Sequence, residues 1–210
     1  MYPGILTSNQ HTALAKLGSF ASSHNFYLGG GTAIALYLGH RRSDDFDWFT
    51  EQRMGAADRL AADLQRSGIP FTTESFSPGT LYGTVSGVRT SFIEYGYTLL
   101  SERQTVPDFG CQLASLDDLA AMKLAAITQR GSRKDFLDIY ELGLKHASLE
   151  RMLELYKQKY EIVDIGHVLL GLSYFDDAEM EPMPQMMRAV EWDEIKKTVQ
   201  SWIKGIRSHS

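Results

Sequence analysis

Apolar residues recur at helical spacing through residues 8–23, at Leu14, Leu17, Phe20 and Ala21, with Ser8 placed as a cap. Phe26-Tyr27-Leu28 predicts a short strand that ends at Gly29-Gly30-Gly31. The stretch from Thr32 to Gly39 is apolar nearly all round, which predicts a buried helix closed by Gly39. Residues 45–49 alternate and predict a strand, and residues 54–67 predict an amphipathic helix stopped by Gly68 and Pro70. Residues 71–74, 81–86 and 90–95 read as strands, with Ser86-Gly87 as the turn between the last two. From Ser115 onward the period becomes helical, over 116–128, 133–144, 149–160, 163–175 and 192–206. The pattern divides the chain into an α/β half, residues 1–110, and a helical half, residues 111–210, with the change falling near Pro107. A cleft between two such halves is a common place for a ligand.

Composition narrows the class. The 210 residues are 43% hydrophobic and 22% charged, which is ordinary globular usage. No apolar run approaches the ~20 residues of a membrane-spanning helix, so no membrane partner is expected. The first twenty residues lack a basic segment followed by an apolar core, so no signal peptide is expected. A single cysteine, Cys111, excludes an internal disulfide and a cysteine-rich zinc site, and fits a reducing cytoplasm. The net charge of −5 argues against broad non-specific binding of nucleic acid, though not against a local basic patch. The six histidines, at 11, 24, 40, 146, 167 and 209, show no ligand-like spacing and read as structural or surface residues.

The candidate chemistry lies in LGGGTAIALYLGHRRSDDFDWF, residues 28–49. Alternation along a strand points Asp45 and Asp47 one way, and Phe46 and Trp48 the other. Two carboxylates ~6 Å apart repel by about 2–3 kcal/mol at an effective dielectric of ~20, a cost that a cation between them removes. Carboxylate oxygens are hard ligands suited to Mg²⁺. On the Asp-x-Asp pattern alone, a solvated edge strand with acidic outer positions is the simpler reading. The glycines alter that balance. Gly29, Gly30 and Gly31 precede a helix N-terminus, where open backbone donors and the helix dipole favour phosphate. The alternative there is a tight strand-to-helix turn. Together the elements describe a phosphate cradle and a metal-binding pair on the next strand, an arrangement that resembles the nucleotidyltransferase fold of the DNA polymerase β type.

A second constellation is MKLAAITQRGSRKDFLDIYEL, residues 122–142. At helical pitch Lys123 and Arg130 fall within about 20° of each other. Ser132 and Asp135 have the spacing of a capping box, which offers Asp135 a purely structural role, and Ser115 and Asp118 repeat it one helix earlier. Arg133 and Lys134 occupy a first helical turn, where the dipole disfavours cations unless an anion or a carboxylate lies near.

These two stretches resemble the AbiEii-type (DUF1814) nucleotidyltransferases, a family that supplies toxins of type IV toxin–antitoxin and phage-defence systems. The shared pattern is a G-G-x-T-A turn, H-R-x-S-x-D-x-D-x-F, and a K-L-x-A-x-x-x-R…K-D-x-x-D-[IL] helix pair. The resemblance covers about residues 20–145 and extends weakly to YFDDAEMEP at 174–182. It implies an α+β fold: a polymerase-β-like core of mixed β-sheet with helices, followed by a C-terminal helical bundle. It implies that Gly30 and Thr32 contact phosphate, beside Gly29 and Gly31 of the same turn. Asp45 and Asp47 would ligate Mg²⁺ or Mn²⁺, and Lys123 would bind the triphosphate. Asp135 or Asp138 would be the acid of the second half. Arg42, Arg130 and Lys134 are further candidates to bind substrate. Polymerase-like transferases usually carry a third carboxylate on a later strand; the candidate is Glu94, at a place where this family often lacks an acid. The implied reaction moves a nucleoside monophosphate from an NTP to a hydroxyl, with tRNA 3′ ends the target in some toxins and an antitoxin as partner. A small-molecule transferase of the aminoglycoside-modifying kind, or a nucleotide-binding protein with an idle site, are the rival readings.

Overall fold

The computed structural model describes residues 1–207; His209 lies outside them. Helix α1 (Ser8–Ser23) is capped by Thr7 rather than Ser8. Thr7 and Gln10 exchange side-chain and backbone hydrogen bonds in a full capping box, which moves the start one residue earlier. Strand β1 (Tyr27–Leu28) is short and wholly buried. Helix α2 (Gly30–Leu38) begins at the glycines and ends at Gly39, whose left-handed backbone lets its N–H return to Ala35. Strand β2 (Asp45–Thr50) alternates strictly, with Phe46, Trp48 and Thr50 buried. Helix α3 (Ala57–Arg66) is followed by a meander of β3 (Phe71–Ser77), β4 (Thr80–Val85) and β5 (Val88–Glu94). The β4–β5 turn is Ser86-Gly87, both with positive φ, the conformation a two-residue hairpin requires.

Two strands went unread in the sequence, β6 (Gln104–Val106) and β7 (Cys111–Leu113). Each has three residues, too few for alternation to register. They complete a seven-stranded sheet in the order β3-β4-β5-β2-β1-β7-β6. Pairs β2–β5 and β1–β7 are parallel and the rest antiparallel, so the sheet is mixed. The sheet therefore runs to Leu113, three residues into the segment assigned to the helical half.

Helices α4 (Leu116–Gln129), α5 (Arg133–Lys145) and α6 (Leu149–Tyr160) follow. The helical stretch expected over 163–175 is instead α7 (Gly166–Ser173) and a single turn, α8 (Asp176–Glu179), before α9 (Trp192–Arg207). One buried apolar cluster runs from α1 through the sheet to Ile195, Val199 and Ile203 of α9, so the halves share a core. Among the described residues no helix is long and apolar enough to cross a membrane. The segment after α8 folds back on the chain between α2 and β2. Met186 bridges Arg41, Arg42 N–H donates to Gln185 O at 2.9 Å, and Met187 N–H donates to His40 O at 2.9 Å.

Candidate active site

Strand β2 is anchored by Phe46 and Trp48 in the core, which leaves Asp45 and Asp47 on the opposite face, half-buried. The parallel register with β5 sets Arg89 beside Asp45 and Ser91 beside Asp47. Ser91 Oγ donates to Asp47 Oδ1 at 2.6 Å. Arg89 Nε lies 2.7 Å from Asp45 Oδ1, but off the line of a hydrogen bond. That oxygen is buried and has no hydrogen-bond partner among the described residues.

The glycine turn closes over this strand. Gly29 N–H donates to Asp47 O at 2.8 Å. Gly30 has φ +61°, and a Cβ there would lie 2.5 Å from Asp47 Oδ2. A Cβ on Gly31 would lie 2.5 Å from Arg41 Nη2. The turn is thus pressed between a carboxylate and a guanidinium, and a Cβ at either residue would displace one of them. Thr32 is buried and its hydroxyl donates to Asp45 O. Its hydroxyl is thus spent on the start of β2, where the resemblance implies a phosphate contact.

The second constellation folds against the turn as a buried charge network. Arg41 donates from Nε and Nη2 to the two oxygens of Asp138, each at 2.8 Å. His40 Nε2 lies 2.7 Å from Asp138 Oδ1. Lys123 Nζ is 2.8 Å from Asp135 and 2.9 Å from Asp138. Arg130 donates to both oxygens of Asp135, at 2.8 and 2.9 Å. Three fixed cations thus meet two carboxylates, leaving one positive charge beneath the glycine turn. Burial works against ionised Asp138, yet Arg41 and Lys123 outweigh it and hold the carboxyl well below the usual range. Asp135 is likewise lowered: burial opposes its charge, and Lys123 and Arg130 prevail. Lys123 is raised, against burial, by the same two carboxylates. Arg130 is raised foremost by its hydrogen bond to Asp135, and Asp47 adds to that field.

Several expectations change here. Lys123 is buried with its ammonium committed to Asp135 and Asp138, so it does not offer a free cation to a triphosphate. Asp135 and Asp138 are buried and committed to Arg41, Lys123 and Arg130, so they act as counter-ions. Asp135 also keeps its capping role, accepting from Ser132 Oγ at 2.6 Å. Glu94 pairs with Thr50 on the face opposite Asp47 and accepts from Met54 N–H at 3.0 Å, so it does not join the aspartates. Arg133 turns away, donating to Ala178 O at 2.8 Å.

Three cavities line the strand. A cleft of ≈ 350 Å³ has Gly30, Asp47, Lys123 and Arg130 on its polar side, and Phe49, Tyr82, Tyr95 and Met122 on its apolar side. A cavity of ≈ 200 Å³ holds Asp45, Asp47, Glu74 and Arg89. A smaller one of ≈ 130 Å³ holds Arg42, Asp44, Asp45, Arg89 and Lys134. Glu74 escaped the sequence reading because a β-bulge between Thr73 and Ser75 breaks the alternation there. Arg89 and Ser91 carried a legible signal: an Arg-x-Ser alternation that matches Asp-x-Asp on a parallel neighbour.

The donor set fits a divalent cation. Two hard carboxylates share a face and one buried oxygen has no hydrogen-bond partner. Among the described residues no group of three or more His, Cys, Asp or Glu side chains converges. A cation here would fill its shell with phosphate oxygens and water, as magnesium does.

A protein of Aquifex aeolicus (strain VF5), described as uncharacterized, is 35% identical over 201 residues, spanning 95% of this chain and 96% of its own. The solution structure of the antibiotic-resistance factor ANT(2'')-Ia superposes with a TM-score of 0.57 at 13% identity, over 74% of this chain and 94% of that one. The nucleotidyltransferase toxin MenT4 of Mycobacterium tuberculosis H37Rv superposes with a TM-score of 0.53 at 13% identity, over 92% of this chain and 82% of that one. At such identities the likeness is one of fold. The profile of the family described as "Nucleotidyl transferase AbiEii toxin, Type IV TA system" matches residues 82–201, beginning in β4 and taking in Lys123, Arg130, Asp135 and Asp138. With more than half its length so matched, on a polymerase-β-like nucleotidyltransferase fold, the chain belongs to the AbiEii nucleotidyltransferase family.

Proposed function

We propose that the protein moves a nucleoside monophosphate from an NTP to a hydroxyl acceptor, with Asp45 and Asp47 holding Mg²⁺ or Mn²⁺. The observation that carries this reading is the position of Asp47. Its carboxylate lies against a left-handed glycine turn, at the wall between an aromatic cleft and an acidic cavity, above a network with one cation in excess. Bound there, the cation supplies Lewis acidity to the phosphates and to the attacking oxygen. The chain's own residues do the rest. Phe49, Tyr82 and Tyr95 give the base an apolar surface. The surplus charge of the Arg41–Lys123–Arg130 network offsets the triphosphate. Ser91 fixes the rotamer of Asp47. The acceptor oxygen bonds to the α-phosphorus, the bridging oxygen to the β-phosphate departs with pyrophosphate, and the acceptor proton passes to Glu74, which lines the cavity beside the two aspartates. In the biological role we infer for a member of this family, the activity is toxic, an antitoxin restrains it, and an RNA end such as that of tRNA is the acceptor.

A small-molecule acceptor is the second reading, favoured by the net charge of −5. Arg42, Arg89 and Lys134 beside Asp45 disfavour a polycationic acceptor. The test is transfer of label from each α-³²P NTP to total RNA and to a panel of small hydroxyl acceptors. Asp47→Ala is expected to lose about 10²–10³-fold in transfer, the cost of removing one preorganised electrostatic group. Transfer that survives this substitution would show the site lies elsewhere.

A further inference from the structure

We infer that Arg89 stands in for the divalent cation at Asp45 in the metal-free protein, and that entry of the cation releases its guanidinium to a phosphate of the bound substrate. This rests on the reading of Asp45 and Asp47 as the cation's ligands.

The β2–β5 register fixes Arg89 beside Asp45 and brings its Nε to 2.7 Å from Oδ1. The contact is one of charge without hydrogen-bond alignment. The Arg89 side chain is 68% exposed, and an ion pair so open to water is weakly held. A guanidinium and a divalent cation drawn to one carboxylate oxygen repel each other, so each lowers the affinity of the other. Arg89 is also the wall between two cavities. One contains Asp45, Asp47 and Glu74; the other contains Arg42 and Lys134. In the second, Arg42 Nε is buried and without a hydrogen-bond partner among the described residues. Arg89 turned from Asp45 joins those two cations, and a guanidinium fork is well matched to phosphate oxygens.

The test is a titration of Mn²⁺ by paramagnetic resonance on wild type, Arg89→Ala and Asp45→Asn, without nucleotide. Arg89→Ala is expected to bind Mn²⁺ about fivefold tighter, because a competing charge is gone, and Asp45→Asn to bind it more weakly than wild type. With Mn²⁺ present, Arg89→Ala is expected to lose about tenfold in affinity for a phosphate ligand, the worth of one charge-assisted contact. Loss for an α,β-nonhydrolysable NTP places that phosphate in the nucleotide; loss for a short RNA oligonucleotide places it in the acceptor. Arg89→Lys, which keeps the charge and lacks the fork, is expected to fall between. Mn²⁺ affinity that depends on Asp45 but is unchanged or weaker in Arg89→Ala overturns the inference alone, as does unchanged affinity for both phosphate ligands. Failure of wild type and Arg89→Ala alike to bind Mn²⁺ overturns the reading of the aspartates as well.

Discussion

Gly30 is where the site is most exposed to a single change. Its φ of +61° is costly for any residue with a Cβ, and that atom would lie 2.5 Å from Asp47 Oδ2. Gly30→Ala is expected to cost about 1–2 kcal/mol from backbone strain. Its larger effect is to push Asp47 out of place. Urea unfolding should show a folded protein of modestly lower stability, while Mn²⁺ titration and nucleotide transfer fall together. Full transfer activity in the variant would show that the turn does not set the carboxylate. Asp45 and Asp47 were legible because a strand of period two, anchored by Phe46 and Trp48, shows its outer face directly. The partners of Asp47 were not legible. Ser91 and Gly30 meet it through pairings 44 and 17 residues distant in sequence, and nothing local specifies them.

At the scale of elements, the join between α4 and α5 brings Lys123 and Arg130 to Asp135. Their seven-residue spacing of Lys123 and Arg130 was readable, and both do reach Asp135. What was not readable is the third element, the His40-Arg41 segment, which places a guanidinium on Asp138 and so turns expected acids into counter-ions. A capping box, a salt bridge and a catalytic acid all share one sequence spacing, so spacing alone could not choose among them. The network gives a stability prediction with a definite sign. Asp135 and Asp138 titrate below their unfolded values, so their contribution is complete above about pH 4 and is lost as pH falls through the lower folded values. Lys123 is raised, so its contribution holds below about pH 10.4 and is lost only as pH rises through the higher folded value. Asp138→Asn is expected to cost about 3–5 kcal/mol at pH 7, because it leaves Arg41 and Lys123 buried without their partner. Its stability should also fall less steeply than wild type between pH 4 and 2 when both are followed by urea unfolding. Equal acid slopes would place the acid sensitivity in other carboxylates.

On the scale of the whole molecule, the sheet and the helical half share one core, and the hydrophobic pattern foretold the elements of each better than their union. The two strands it missed, β6 and β7, close the sheet on the side of β1, and β1 itself is only two residues long. Cys111 lies in the middle of that join, with no exposed surface, and burial pushes its thiol up to about 12. A thiol so placed is inert to an alkylating reagent at neutral pH for as long as β7 stays seated. Since the chain has a single cysteine, the rate at which it is modified becomes a clock for how often this edge of the fold comes apart. That rate should follow urea in step with global unfolding. A faster, urea-independent component would mean that β6 and β7 lift away while the rest of the protein stays folded.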